Sequence, residues 1–287
     1  MITWEKLVAE AEATIATAGV PDAAGSARWI AREATGTDAE EWLDVATTAA
    51  TERQLASFDR MVARRCEGEP LQYVLGSWGF RRLDLYVDRR VLIPRPETEI
   101  IAGAAIDEFD RVGGPAGGAP VVDLGTGSGA IGLSVAIERP GSSVWLTDAS
   151  TDALAVARAN LAGVGRAGGG VSLAAGDWFA ALPPELAGTI GVVVSNPPYV
   201  AAESDLEPQV SAWEPLSALL AGEEGRRDLL VIIAQAPLWL RPGGSLVLEM
   251  APDQVAPVSA EAGIHFAEVE PIIDLADRPR GIVCRLT

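Results

Sequence analysis

PVVDLGTGSGAIGLSVAIERP, residues Pro120 to Pro140, runs from an apolar strand through a glycine-rich turn into a helix. Val121, Val122 and Leu124 form a near-continuous apolar run, the mark of a strand covered on both faces. Gly125, Gly127 and Gly129 follow, and glycine lets a turn tighten and a ligand approach the backbone. Strand, glycine loop and helix in this order make the opening unit of an open α/β sheet. The spacing also satisfies a dinucleotide-binding pattern with Ala130 in the last place, so the loop by itself does not name a ligand.

Outward from this stretch the alternation continues. SVWLTD is the next strand, and STDALAVARANLAGVG is a helix with Ser150 as N-cap. VSLAAGD and IGVVVSN are strands, RRDLLVIIAQAPLWL a helix and GSLVLEM a strand. The tail, residues 265–287, reads as two strands joined by a turn. The pattern predicts an α/β fold with a mostly parallel, Rossmann-like sheet and an antiparallel C-terminal hairpin. Ligands in such sheets sit at the carboxyl ends of the strands.

Upstream the character is helical. TWEKLVAEAEATIATAG and DAAGSARWIAREATG are separated by Pro21 and Asp22. Thr51 and Gln54 form a capping box ahead of LASFDRMVARRC, where Leu55, Phe58, Met61 and Val62 recur at helical spacing. Residues 1–75 are expected to form a small helical N-terminal domain. Residues 76–98 read as a β-hairpin linker, and residues 99–287 as the domain that carries the sheet. Pro96 is expected in the first turn of the helix within PRPETEIIAGAAIDEFDRV, with acids there to match its dipole. GGPAGGAP, residues 113–120, reads as a flexible loop.

Composition narrows the function. A hydrophobic content of 48% over 287 residues supports a sizeable core. No apolar run approaches the roughly 20 residues that span a bilayer. The start, MITWEKLVAEAE, is acidic rather than signal-like, so a cytoplasmic location without membrane contact is expected. A net charge of −18, with no basic run of nucleic-acid type, disfavours direct nucleic-acid binding and favours a protein or small-molecule partner. Cys66 and Cys284 lack metal-ligand spacing, and with His265 they read as structural, so no metal site is expected.

The strand ends carry the polar chemistry. Asp148 closes the second strand, 19 residues beyond Gly129, where an acid can accept from a ribose hydroxyl pair or cap a helix. Asp123 beside the glycine loop suits the ammonium of a methionine moiety and is awkward next to a pyrophosphate. Asp177 can accept from an adenine amino group. Trp178 either stacks beside that ring or packs in the core. The fourth strand ends in Asn196-Pro197-Pro198-Tyr199. A planar NH2 is a poor nucleophile because its lone pair is delocalised. The Asn196 side-chain oxygen and the Pro197 carbonyl can accept its two N–H bonds, orient it, and stabilise charge developing on nitrogen. The prolines keep that backbone rigid, and Tyr199 can stack on a planar group. No general base is obligatory.

These motifs together resemble an S-adenosylmethionine-dependent methyltransferase of class I fold. More narrowly, EPLQYVLGSWGF, LIPRPETE, VVDLGTGSGAIGLSVA, SNPPY, EPLSALLAGEEG and GGSLVLEM resemble the release factor glutamine methyltransferases, the HemK/PrmC family of protein-(glutamine-N5) methyltransferases, over essentially the whole chain. The resemblance implies that Gly125, Thr126, Gly127, Ser128, Gly129, Asp148, Trp178 and Asn196 contact S-adenosyl-L-methionine, with S-adenosyl-L-homocysteine as product. It implies that Asn196, Pro197, Pro198 and Tyr199 hold a substrate glutamine amide, and that Arg95 to Glu99 lie over the active site. The implied reaction is methylation of the glutamine of the Gly-Gly-Gln motif in peptide-chain release factors, a step in translation termination, with the N-terminal domain recognising the release factor. The enzyme is expected to be a monomer. The motifs are shared by glutamine methyltransferases of ribosomal proteins and, in part, by adenine-N6 nucleic-acid methyltransferases; the acidity weighs against the latter. Ala251 and Pro252 stand where the family usually has glycine and often tyrosine, and a local loop change is expected there.

Overall fold

The computed structural model describes residues 2–222 and 224–287. They divide into two compact units: the chain up to Ser77 together with Glu207–Trp213, and Trp78–Leu206 together with Glu214–Thr287.

The first unit is helical, with α1 (Trp4–Thr17), α2 (Ala23–Thr35), α3 (Trp42–Val45), α4 (Glu52–Cys66) and α5 (Leu71–Leu75). The capping box is present as read: the Gln54 N–H donates to the Thr51 hydroxyl at 3.3 Å, and the Thr51 N–H donates to Gln54 Oε1 at 3.1 Å. Phe58 and Met61 are buried against Trp4, Ile15 and Ile30, with Leu55 and Val62 at the margin of the same core. Cys66 packs beside it.

The second unit begins with a hairpin, β1 (Ser77–Phe80) and β2 (Leu83–Tyr86), followed by α6 (Thr98–Arg111). Then come β3 (Val121–Leu124), α7 (Ala130–Glu138), β4 (Val144–Asp148), α8 (Thr151–Val164), β5 (Val171–Ala175) and β6 (Ile190–Ser195). A short helix, α9 (Pro208–Trp213), belongs to the first unit. The chain closes with α10 (Arg227–Trp239), β7 (Leu240–Glu249), α11 (Val255–Ala262), β8 (Glu268–Ile273) and β9 (Pro279–Arg285). The sheet order is β5-β4-β3-β6-β7-β9-β8, parallel from β5 to β7, with β7–β9 and β9–β8 antiparallel. This is the mostly parallel sheet with an antiparallel C-terminal hairpin that the pattern predicts.

Burial explains the order. Every residue of β3 and β6 is buried, as in central strands covered by helices on both faces, whereas β8 at the edge exposes most of its residues. Val192, Val193 and Val194 are fully buried, each stabilising the fold by about 1.5–3 kcal/mol. Cys284 lies in the same core, where burial pushes its thiol up to about 12, so it is unreactive. Chain direction across the sheet reverses its order between β3 and β6, placing a switch point between their carboxyl ends, where Leu124 pairs with Ser195. The Ser195 hydroxyl donates to the Leu124 carbonyl at 2.7 Å and ties those two ends together.

Local details differ from the sequence reading. Pro96 lies in the turn before α6 rather than inside it: the Thr98 N–H bonds the Arg95 carbonyl and the Glu99 N–H bonds the Pro96 carbonyl, so tighter i→i+3 bonds precede the helical pattern. The stretch 113–120 is not all loop, because Gly114–Gly117 forms a 3₁₀ turn. The strand expected at GSLVLEM starts four residues earlier, at Leu240, where it pairs with Ile190. At Ala251 and Pro252 the chain enters a 3₁₀ turn, Pro252–Gln254, with the Ala251 N–H donating to Gln254 Oε1.

Candidate active site

The carboxyl ends of β3, β4, β5 and β6 open onto a cavity of about 500 Å³. The glycine loop forms one wall. Gly129 has φ +89° and caps α7, a backbone conformation that strains any side chain, and a Cβ there would also push the Leu133 side chain aside from 2.9 Å. Gly125 has φ +68°, and a Cβ would press on the Trp178 ring at 3.4 Å. The loop is braced from below by Asn160 of α8. Its amide donates to the Ser128 carbonyl at 2.8 Å and the Tyr86 carbonyl at 3.0 Å, and its oxygen accepts from the Tyr86 N–H at 2.7 Å.

Two aspartates govern the loop. Asp123 is buried, and its Oδ2 accepts from the Thr126 hydroxyl at 2.6 Å and the Gly132 N–H at 2.9 Å. Its Oδ1 is buried and has no partner, although Asp123 lines the cavity. Burial pushes this carboxyl up to about 7 against those two hydrogen bonds, and the nearby Asp148 charge adds to the rise. An unpartnered carboxylate oxygen in a cavity wall is matched to a cation. Asp148 accepts from the Gly127 N–H at 2.9 Å and the Ser150 N–H at 2.8 Å, so it ties the loop to the start of α8 while facing the cavity. Burial raises its pKa, opposed by the Ser150 and Gly127 amides. Ser150 caps α8 as read, its hydroxyl accepting from the Ala153 N–H at 3.2 Å.

Asp177 and Trp178 line the same cavity. Trp178 is at φ +44°, in the left-handed region that a bulky residue adopts at a cost, and the indole is thereby turned onto the cavity wall beside Gly125. Trp178 also packs against the main core, the second of the two places read for it.

Asn196 faces the cavity from the end of β6. Its Nδ2 donates to the Thr98 hydroxyl at 3.2 Å, and its Oδ1 is buried without a partner. Pro198 also lines the cavity; Pro197 and Tyr199 are not among its lining residues. Tyr199 instead borders an adjacent cavity of about 420 Å³ with Gln254 and Ala251. Its hydroxyl donates to Glu249 Oε1 at 3.3 Å, and its carbonyl accepts from Gln254 Nε2 at 2.9 Å. Burial and the Glu249 charge push its pKa up, so it stays a neutral phenol. Arg95 does line the cavity, but its guanidinium is held by the buried carboxylate of Glu214 at 2.6 Å, whose other oxygen accepts from the Ile93 N–H at 3.1 Å. Thr98, Glu249, Glu214 and Asn160 have no local signal that assigns them a site role. Thr98, Glu249 and Glu214 do lie within quoted motifs, which is the trace that could have found them.

Two family models match the chain: the PrmC N-terminal domain over residues 6–76 and the methyltransferase small domain over residues 115–212. The release factor glutamine methyltransferase of Burkholderia pseudomallei (strain K96243) is 42% identical over 262 residues, covering 87% of this chain and 85% of that protein. The protein of the same name from Mycolicibacterium smegmatis is 37% identical over 275 residues, covering 94% and 93%. Among solved structures, a methyltransferase from Pyrococcus furiosus is similar with a TM-score of 0.51 at 16% identity, over 79% of this chain and 98% of that one. The 16S rRNA N2 G1207 methyltransferase of T. Thermophilus is similar with a TM-score of 0.50 at 19% identity, over 74% and 50%. At such identities these two structures speak for the fold alone, which is that of the methyltransferases.

Proposed function

The chain belongs to the release factor glutamine methyltransferase family, and we propose that it methylates the side-chain nitrogen, N5, of the glutamine in the Gly-Gly-Gln motif of peptide-chain release factors. The observation that carries the reading is the buried, unpartnered Asn196 Oδ1 at the β6 end of a cavity whose opposite wall is the glycine loop. A buried acceptor without a donor costs about 1–3 kcal/mol, and a substrate NH2 placed there recovers it.

S-adenosyl-L-methionine, when bound, supplies an electrophilic methyl group and leaves as S-adenosyl-L-homocysteine. The residues present fit it. Asp123 Oδ1 would receive the ammonium of its methionine moiety, Asp148 the ribose hydroxyls, Asp177 the adenine amino group, and Trp178 the face of the adenine ring. Asn196 Oδ1 would accept one amide N–H; the Pro197 carbonyl, which does not line the cavity, is assigned the other by the family resemblance alone. That holds the glutamine nitrogen with its lone pair toward the methyl donor and stabilises the positive charge that grows on nitrogen as the N–C bond forms. The nitrogen then releases a proton to solvent and returns to a neutral amide. Pro197 and Pro198 fix φ and keep both acceptors in place.

The helical first unit recognises the release factor in this reading, the enzyme acts as a cytoplasmic monomer, and nucleic acid is not a direct ligand. Among the described residues no helix is long and apolar enough to cross a membrane. Mass spectrometry of purified release factors, incubated with the enzyme and S-adenosylmethionine, tests the assignment. One added methyl on the glutamine of Gly-Gly-Gln is expected. A methyl on another residue, or none while calorimetry shows cofactor binding, refutes it.

A further inference from the structure

Asn160 stands in the interior of α8, where asparagine is a poor helix former, and it is buried. Its carboxamide leaves the helix and meets two other segments. Oδ1 accepts from the Tyr86 N–H at 2.7 Å. Nδ2 donates one proton to the Tyr86 carbonyl at 3.0 Å and the other to the Ser128 carbonyl at 2.8 Å. The side chain thus pairs with Tyr86, at the end of β2, as a residue of a neighbouring strand would, and keeps one donor for the glycine loop.

Each partner leads to a different part of the cavity lining. Ser128 lies in the loop wall. Tyr86 precedes the turn that brings Arg90, Val91 and Leu92 to the cavity. That turn is built on Asp88. Its carboxylate accepts from the Tyr86 hydroxyl at 2.6 Å and the Arg90 N–H at 3.0 Å, and its carbonyl accepts from the Val91 N–H at 3.1 Å. A path of hydrogen bonds therefore runs from Ser128 through Asn160, Tyr86 and Asp88 to Arg90 and Val91. Asn160 itself does not line the cavity.

The path needs a carboxamide. One acceptor and two donors are required at Asn160, and the reversed amide would set its oxygen against two carbonyls. Aspartate supplies the acceptor alone, and leucine supplies neither.

We propose that Asn160 is a positioning residue for the cofactor: it holds the glycine loop and residues 90–92 at a fixed separation, so the cavity is shaped before S-adenosylmethionine enters. The proposal rests on the reading that S-adenosylmethionine occupies this cavity. A site whose walls drift apart is competent only part of the time, and its apparent affinity falls by that fraction.

Asn160→Asp and Asn160→Leu test it, with circular dichroism and urea unfolding to select folded protein. Calorimetric affinity for S-adenosylmethionine is expected to fall about 10-fold in both. Affinity within twofold of the parent in the folded variants overturns the proposal. Hydrogen exchange on the unliganded protein gives a readout free of the cofactor. Residues 86–92 and 125–129 are expected to exchange about 10-fold faster in both variants, while β6, which Asn160 does not touch, keeps the parent rate. A residue that merely stabilises the fold would change exchange everywhere or nowhere. Uniform change, or none in either segment, refutes the clamp. If the parent binds no S-adenosylmethionine, the reading of the cavity fails, and exchange alone decides the clamp. Tyr86→Phe cuts the same path at the exposed hydroxyl and leaves the core intact, so it serves where the Asn160 variants do not fold. It is expected to weaken binding about threefold and to speed exchange at residues 88–92. Neither effect in Tyr86→Phe also overturns the proposal.

Discussion

Helix α6 and strand β7 hold a buried glutamate near each end of their contact, and the two are treated in opposite ways. Glu108, near the last turn of α6, accepts from Arg285 at 2.7 Å, from Arg111 at 2.6 Å and from Ser245 at 2.6 Å. Burial alone would raise its pKa, but Arg285, Ser245 and Arg111 outweigh it and hold the carboxyl down at about 2. Glu249, at the carboxyl end of β7, accepts from the Tyr199 hydroxyl at 3.3 Å with the Thr98 hydroxyl nearby, and its other oxygen is unpartnered. Burial pushes it up to about 7 against those hydroxyls, and the Glu97 charge adds to the rise. The neutralised glutamate joins helix to sheet. The other is left without a cationic partner. Asp123, buried without a cation and likewise raised, belongs with Glu249.

The comparison can be broken at its stable end first. Glu108→Ala is expected to cost about 3 kcal/mol of stability, the low end for breaking a buried ion pair, because Glu268 and Glu270 remain beside Arg285. Methylation by the folded fraction stays unchanged, since Glu108 touches nothing in the cavity. Urea unfolding and specific activity measured on one preparation check both halves.

At the other end, Asp123→Asn is expected to weaken S-adenosylmethionine binding about 10- to 100-fold, the worth of a charge-assisted hydrogen bond. The parent affinity should also rise with pH up to about 7, as Asp123 ionises and becomes able to meet an ammonium. Calorimetry from pH 6 to pH 8 shows that slope in the parent and a flat line in the variant, if Asp123 is the group.

The two glutamates should also bend the stability curve in opposite directions. Glu108 has a lowered pKa, so its contribution is present above the ordinary carboxylate range and is lost as pH falls toward about 2. Glu249 has a raised pKa, so its contribution is full below the ordinary range and is lost as pH rises through about 7. Glu249→Gln therefore gains relative to the parent between pH 5 and pH 8, by on the order of 1–2 kcal/mol. A parent and variant with parallel curves in urea unfolding would remove the contrast.

The smallest effect is expected at Asp148. Its carboxylate is already satisfied by two backbone N–H groups, and Asp148→Ala loses both that brace and the ribose contact proposed for it, about tenfold in cofactor affinity. Unchanged affinity would leave Asp148 as a helix-start brace alone.

Much of this molecule was legible in order along the chain. The sheet and its direction follow from continuous apolar strands alternating with helices. The capping box at Thr51 and the N-cap at Ser150 are local patterns, satisfied by neighbours three residues on. The placement of the glycine loop and Asn196 in the cavity wall is also legible, because each is a residue type at the end of a recognisable strand. The partners were not. Asn196 meets Thr98 across 98 positions, and Arg95 meets Glu214 across 119, so no local window contains either pair. Tyr199 shows the limit most clearly. An aromatic after two prolines suggests stacking, yet the backbone carries it past the first cavity and its hydroxyl to Glu249.

By itself, then, the sequence determined the class of fold, the glycine loop that walls the cavity and the strand end that offers an acceptor, since periodicity, glycine placement and residue type are properties of short stretches. Tertiary structure alone decided which way the Asn196 amide points, which carboxylates are neutralised and which stay unpaired. Those depend on desolvation and on single donors brought from distant elements, and neither quantity exists until the helices and strands have packed.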